Sequence, residues 1–380
     1  MKIAFVDDSG WDYTPLTPYE RPFGGTQSAL CYLAEALAAG GHEVALVNNV
    51  ADPGIYGGVD CVGAGRGLAG EFLNRFDAVI SIATIGRQLR QIGVQRPLVF
   101  WTGHDVDQLA VKSLQDAAER SCWTAFATVS EWQARRYAAA FGIESNRLSV
   151  KRNGISPAVE QRVRTRPWFF EESRPPTLVY TSTPFRGLDV LLTAFPTICA
   201  AVPGCTLKVY SAMSMYRVPI EQDPYRVLYR LCAATDGAEY VGPLGQRQMA
   251  EALAEADILA YPSTFAETSC IAAMEAMASG CLFVSTATGA LPETAGRFGK
   301  LLVIPKQARD IPFNIWLANN YATMMIDEIR RAATDPGGTA TMLKQQMAHF
   351  RHHHEWRARA REWESWLGAL CVAGLRGRQA

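Results

Sequence analysis

Glu267 and Glu275 stand with seven residues between them in FAETSCIAAMEAMASG, residues 265–280. A helix is expected to begin just after Glu267. At ~1.5 Å per residue it would set the two carboxylates roughly 12 Å apart. That span resembles the one from the sugar to the ribose of a nucleotide-sugar. The first helical turn would offer free N–H groups at Thr268, Ser269, Cys270 and Ile271, an anion site suited to a diphosphate. One carboxylate would take sugar hydroxyls and the other ribose hydroxyls. The same pair also reads as two solvated helix glutamates.

His104 ends the strand-like stretch PLVFWTGHD. Ligands of open parallel sheets gather beyond the carboxyl ends of strands, which makes its imidazole a candidate contact. A histidine capped by backbone is the alternative, and Asp105 is the expected orienting partner. Gly24 and Gly25 precede a helix. By themselves they read as an ordinary tight turn.

These residues need elements to hold them. KIAFVDD reads as a buried parallel strand. FGGTQSALCYLAEALAAGGHEVALVNN follows as glycine turn, helix and strand, with Ala29, Leu30, Leu33, Ala34 and Leu37 at helical spacing. FDAVISIA, PLVFWTGHD, TAFATVS, the helix EWQARRYAAAFG and LSVKRNGI complete a first α/β half, residues 1–155. Residues 156–175 are polar, basic and Pro-bearing and read as a linker. A second half, 176–345, alternates again: TLVYTST, GLDVLLTAFPTICAAV, CTLKVYSA, QMAEALAEA, DILAYPS, the Glu275 helix and CLFVSTATGA. Residues 346–380 read as one charged helix bearing Trp356, Trp363 and Trp366 that packs back on the body.

Bulk composition narrows the choice. At 380 residues, 48% hydrophobic and 19% charged, the chain is globular and long enough for two domains. A formal net charge of zero argues against nucleic acid as partner. Nine cysteines without a Cys-x-x-Cys pair fit buried free thiols in a reducing compartment. Neither a signal peptide nor a spanning run is read, so the cytoplasm is the expected location. Arg147, Lys151, Arg152, Arg162, Arg164 and Arg166 either face anionic lipid at the inner side of a membrane or are simply solvated. Trp11, Tyr13 and Tyr19 either stack on an acceptor sugar or pack on the surface. His352, His353 and His354 point different ways on a helix, and no metal site is expected. Oligomeric state is not legible.

The glutamate pair after DILAYPS, the GALPE turn beyond it, the GGTQSALCYLAEALAAGGHEV start, WTGHD and NGI together resemble the retaining glycosyltransferases of family 4, over nearly the whole chain. The resemblance implies the GT-B fold: two Rossmann-like parallel-sheet domains facing a central cleft, with the acceptor side first and the donor side second. It implies a UDP- or GDP-sugar as co-substrate, no cofactor and no metal. It also implies a glycan or glycolipid acceptor in surface polysaccharide or glycoconjugate synthesis. By position, Glu275 would bind ribose and Glu267 the transferred sugar near its anomeric centre. Gly24 and Gly25 would approach the donor phosphates, and His104 would contact donor sugar or acceptor.

One departure matters. Such proteins commonly carry an Arg after the first strand of the second domain and then a Lys before glycine. Here the segment is YTSTPFRG, so Arg186 takes the Lys position, and Thr181, Ser182 and Thr183 stand where the first Arg is expected. Whether the Thr181 and Ser182 hydroxyls replace that cation stays open at this point. A nucleotide-sugar 2-epimerase of the same fold and a non-catalytic sugar-nucleotide or glycan-binding protein are the rival functions.

Overall fold

A computed structural model of the chain describes residues 1–82, 85–305 and 312–376. The chain divides into two compact units. The first comprises residues 1–18, 25–154 and the stretch from Glu355 onward, and the second 19–24 and 155–354.

The first unit holds an eight-stranded sheet. Its strands are β1 (Lys2–Val6), β2 (Glu43–Asn48), β3 (Gly54–Tyr56), β4 (Val59–Gly63), β5 (Ala78–Ser81), β6 (Leu98–Trp101), β7 (Ala125–Thr128) and β8 (Leu148–Val150). Their order is β3-β4-β2-β1-β5-β6-β7-β8, parallel except for the β3–β4 hairpin. Ile3, Ala4, Phe5 and Val6 are all fully buried, which requires cover on both faces and suits a parallel strand. The helix Gly25–Ala39 supplies part of that cover, burying Leu30, Leu33 and Leu37.

The second unit holds β9 (Thr177–Tyr180), β10 (Thr206–Val209), β11 (Ala238–Tyr240), β12 (Ile258–Tyr261), β13 (Leu282–Thr286) and β14 (Lys300–Leu302). The order β11-β10-β9-β12-β13-β14 is parallel throughout. This is the doubly wound Rossmann order, which reverses direction between β9 and β12. In open sheets of this order, ligands gather at the carboxyl ends of the strands beside the reversal.

Four expectations need correction. The 156–175 stretch is not a solvated linker. Ser156 caps the helix Pro157–Gln161, and Trp168, Phe169 and Phe170 lie in the core of the second unit. The Trp168 indole donates to the Gly280 carbonyl at 2.8 Å, and its ring stacks on Phe170. Arg164 and Arg174 both pair with the buried Asp257 carboxylate, so the charges that suggested a linker are spent internally.

The tail is two helices, not one. Pro336–His353 belongs to the second unit and Trp356–Arg376 to the first. The break at His354–Glu355 falls where the chain changes core: Leu343 and Phe350 bury in one unit, Trp356, Trp363 and Leu367 in the other.

Tyr13 is no exposed platform. It is 1% exposed, its hydroxyl donates to Asp7 at 2.7 Å, and its carbonyl accepts from Asn48 at 2.8 Å. Nor are Arg147 and Lys151 free to face lipid. Arg147 donates to the Arg120 and Trp123 carbonyls, and buried Lys151 donates to the Glu362 carbonyl beneath the Trp366 ring.

All nine cysteines are free thiols, six of them buried.

Because Trp168 is a core residue, Trp168→Ala should destabilise the second unit by about 3–5 kcal/mol. Urea unfolding followed by circular dichroism measures this; a solvated linker residue would leave the midpoint unmoved.

Candidate functional site

The residues singled out in the second unit gather at the carboxyl ends of β9, β12 and β13. The loop after β9 runs through Thr181, Ser182 and Thr183 into the short turn Pro184–Arg186. Gly187 ends that turn at φ 105°, and a Cβ there would overlap the Pro262 carbonyl. Only glycine lets the loop lie directly on the end of β12.

The loop after β12 carries Glu267. Its carboxylate is 3% exposed and fully engaged on one side. Arg186 Nη1 donates to both of its oxygens, at 2.8 and 3.0 Å. The Tyr261 hydroxyl donates to Oε1 at 2.5 Å and lies 3.3 Å from the Ser182 hydroxyl. Burial first, and the Glu267 charge second, push the Tyr261 phenol well above its ordinary range, so it remains a donor. The backbone is pinned as well. The Ala290 N–H donates to the Glu267 carbonyl at 2.6 Å, and Gly289, at φ 64°, leaves no room for a Cβ against the Glu267 backbone.

Arg186 packs against a pair of aromatic rings that also touch each other, its guanidinium 4.7 Å from the Phe265 centroid and 5.4 Å from that of Phe185, the two centroids 5.6 Å apart. Nη1 is spent on Glu267. Nε is buried with no partner among the described residues, as are the hydroxyl oxygens of Thr181, Thr183 and Ser269. Buried donors without partners are rare and call for an explanation. The Nε–Nη2 edge of a guanidinium matches a phosphate bidentately.

The helix starts later than the sequence suggested. It spans Ile271–Ala278, and Thr268, Ser269 and Cys270 precede it as loop. The reason is local: Glu267 is held by Arg186, Tyr261 and the Gly289 turn, so the chain cannot coil until it has left them. Cys270 at the N-cap makes no side-chain cap, which leaves first-turn N–H groups such as that of Ile271 available.

Glu275 has a different environment. It is 3% exposed and accepts from the Ser156 N–H at 3.0 Å, with the Gln246 side chain also bonded to it. Burial pushes its carboxyl up to about 7, against the partial relief of those two bonds. It is therefore not a solvated helix glutamate, and it makes no bond to the Arg186–Glu267 pair.

The remaining candidates belong to the first unit or its border. His104 lies just past β6, half-buried, with Nδ1 2.6 Å from the Thr102 hydroxyl. Its carbonyl accepts from Gln133 and Tyr137. Asp105 is not its orienter; that carboxylate pairs with Arg136 at 2.7 Å. Gly25 opens the helix Gly25–Ala39, and Gly24 groups with the second unit.

Sequence reasoning passed over Tyr261, Gly289, Phe185 and Phe265. Tyr261 had a signal: a hydroxyl at the end of an otherwise apolar strand must find a partner.

Residues 175–314 match the family described as glycosyl transferases group 1. A search of curated proteins gives no match. Among solved structures, the chain resembles sucrose-phosphate synthase from Thermosynechococcus elongatus at 17% identity and TM-score 0.71, covering 98% of this chain and 100% of that one. It resembles a Rickettsia africae glycosyltransferase at 12% identity and TM-score 0.70, covering 97% and 98%. It also resembles Anabaena HepE in complex with UDP at 17% identity and TM-score 0.66, covering 97% and 100%. The architecture is that of GT-B glycosyltransferases, two α/β units each built on a mainly parallel sheet.

The environment of Glu275 sets a pH dependence. With its carboxyl raised from 4.5 to about 7, the folded state holds the proton more tightly than the unfolded chain. Its contribution to stability is complete below pH 4.5 and is lost as pH rises through 7, up to about 3 kcal/mol. Glu275→Gln keeps an acceptor for Ser156 and removes the charge. Its melting temperature relative to the parent should therefore rise between pH 5 and pH 8. A constant difference across that range would mean Glu275 ionises freely.

Proposed function

We propose that this GT-B chain, with its group 1 glycosyl transferase domain, transfers a sugar from a nucleotide-sugar donor with retention at the anomeric carbon and without a metal. The observation that carries the proposal is the unpaired Nε edge of Arg186, buried beside a carboxylate and three unpartnered hydroxyls at the switch point of the second sheet.

A leaving nucleoside diphosphate gains negative charge as the glycosidic bond breaks. Arg186 can meet that charge through its Nε–Nη2 edge without releasing Glu267. The Thr181, Thr183 and Ser269 hydroxyls supply donors where a second cation would otherwise stand, and the first-turn N–H groups at Ile271 add to them. These fixed donors do the work that a divalent ion does elsewhere, so activity should survive EDTA. Glu267, on the other flank of Arg186, sits where positive charge develops on the sugar. Glu275 and the Gln246 side chain offer polar atoms for ribose hydroxyls.

The Anabaena protein has been solved with UDP and with UDP-glucose, which supports a nucleoside diphosphate sugar as donor. The acceptor in this reading is a glycan or glycolipid of a surface polysaccharide or glycoconjugate, reached from the cytoplasmic side. His104, half-exposed past β6, is the first-unit residue assigned to donor sugar or acceptor.

Arg186→Ala should weaken UDP or GDP binding by about ten- to a hundredfold, the cost of one charge-assisted contact. Turnover of the matching nucleotide-sugar should fall with it. Arg186→Lys should recover little, because a single ammonium beside Glu267 has no second edge to present. Calorimetry with both nucleotides and product release from a panel of UDP- and GDP-sugars measure this. Unchanged nucleotide affinity in Arg186→Ala would move the diphosphate elsewhere and defeat the proposal.

A further inference from the structure

We infer that Tyr261 is a positioning residue that reserves one oxygen of Glu267 for the protein and leaves the other for the substrate sugar; the inference rests on the function proposed above.

Glu267 lies in a loop without regular structure, yet a group acting on a reacting sugar must be held within a fraction of an ångström. Backbone bonds fix its Cα but not its carboxylate. Two side chains do that. Arg186 reaches both oxygens, so it resists rotation of the carboxylate but does not make the oxygens different. Tyr261 touches only Oε1, at 2.5 Å. Oε1 thus accepts two charge-assisted or short bonds and Oε2 only one, which leaves Oε2 as the acceptor with spare capacity.

Tyr261 can play this part because its own position does not depend on Glu267. It is the last residue of β12 and 1% exposed. Its ring packs on Tyr180 with centroids 5.7 Å apart, and the Tyr180 hydroxyl is tied to the Thr183 carbonyl. Its carbonyl accepts from the Ser285 hydroxyl on β13 and from the Ser263 N–H. The phenol oxygen is therefore a fixed point of the sheet, presented to a residue of the loop that follows.

The arrangement also separates two duties. When a diphosphate draws on the charge of Arg186, the Nη1 bonds to Glu267 weaken in proportion. The Tyr261 bond does not, and it keeps the carboxylate in register during bond breaking. Ser182, 3.3 Å from the phenol oxygen, joins the loop after β9 to the same anchor.

The test is Tyr261→Phe, which keeps the ring and removes the hydroxyl. We expect kcat to fall by about tenfold or more, with UDP and GDP affinities within about twofold of the parent. Arg186→Ala, by contrast, should move the affinities. A parental kcat in Tyr261→Phe, or a loss of nucleotide affinity matching the loss of kcat, would overturn the assignment. A second measurement needs no activity. Urea midpoints of Tyr261→Phe, Glu267→Ala and the double variant form a cycle. Coupled, sub-additive losses are expected, and strictly additive ones would break the Tyr261–Glu267 link. If the parent turns over no nucleotide-sugar, the proposed function fails on its own, and the urea cycle still decides whether Tyr261 holds Glu267.

Discussion

The ion pair between Arg186 and Glu267 is the constraint around which the second unit is arranged. Burying either charge alone would cost several kcal/mol, and together they remain expensive unless every bond is well made. The surrounding structure meets that condition. Gly187 lets the arginine-bearing loop lie on β12, Gly289 lets the β13 loop press on the Glu267 backbone, and two phenylalanines pack against the guanidinium. Each of these depends on the strand order, which sets β9 beside β12 and so brings their following loops together.

The two glutamates show how one spacing yields two kinds of carboxylate. Glu267 accepts from a guanidinium and a phenol. Glu275 is buried among neutral partners, a backbone N–H and an amide, and its carboxyl rises to about 7. Environment, not sequence separation, makes the two carboxylates different.

Much of the fold was legible because parallel strands are apolar on both faces. IAFV, AVIS, LVFW, LVYT and ILAY announce themselves as buried runs, and their alternation with helices implies the sheets. What escaped was decided by contacts far apart in sequence. Residues 156–175 looked solvated because their arginines are visible in sequence and the buried Asp257 that pairs with them is more than eighty residues away. β11 and β14 are three-residue edge strands, too short to carry a pattern. At the site, the glutamate pair is read from residue types and spacing, and Arg186 from the family resemblance. That they engage different partners is not, since the pairing depends on which loops the topology brings together. The late start of the Ile271 helix has the same origin.

The helix Trp356–Arg376 completes the first unit, although everything between Ile155 and His354 belongs to the second. Trp356 packs near Tyr32 and Trp363 against Trp101, so the earlier part of the first unit lacks part of its core until these residues are in place. During translation the usual order is thereby inverted. All of the second unit is synthesised before the helix that closes the core of the first. The nascent first unit must stay incomplete through the synthesis of some two hundred residues. A nascent chain ending near residue 354 leaves uncovered the aromatic faces that Trp356 and Trp363 close over, apolar surface of the kind that holding chaperones bind.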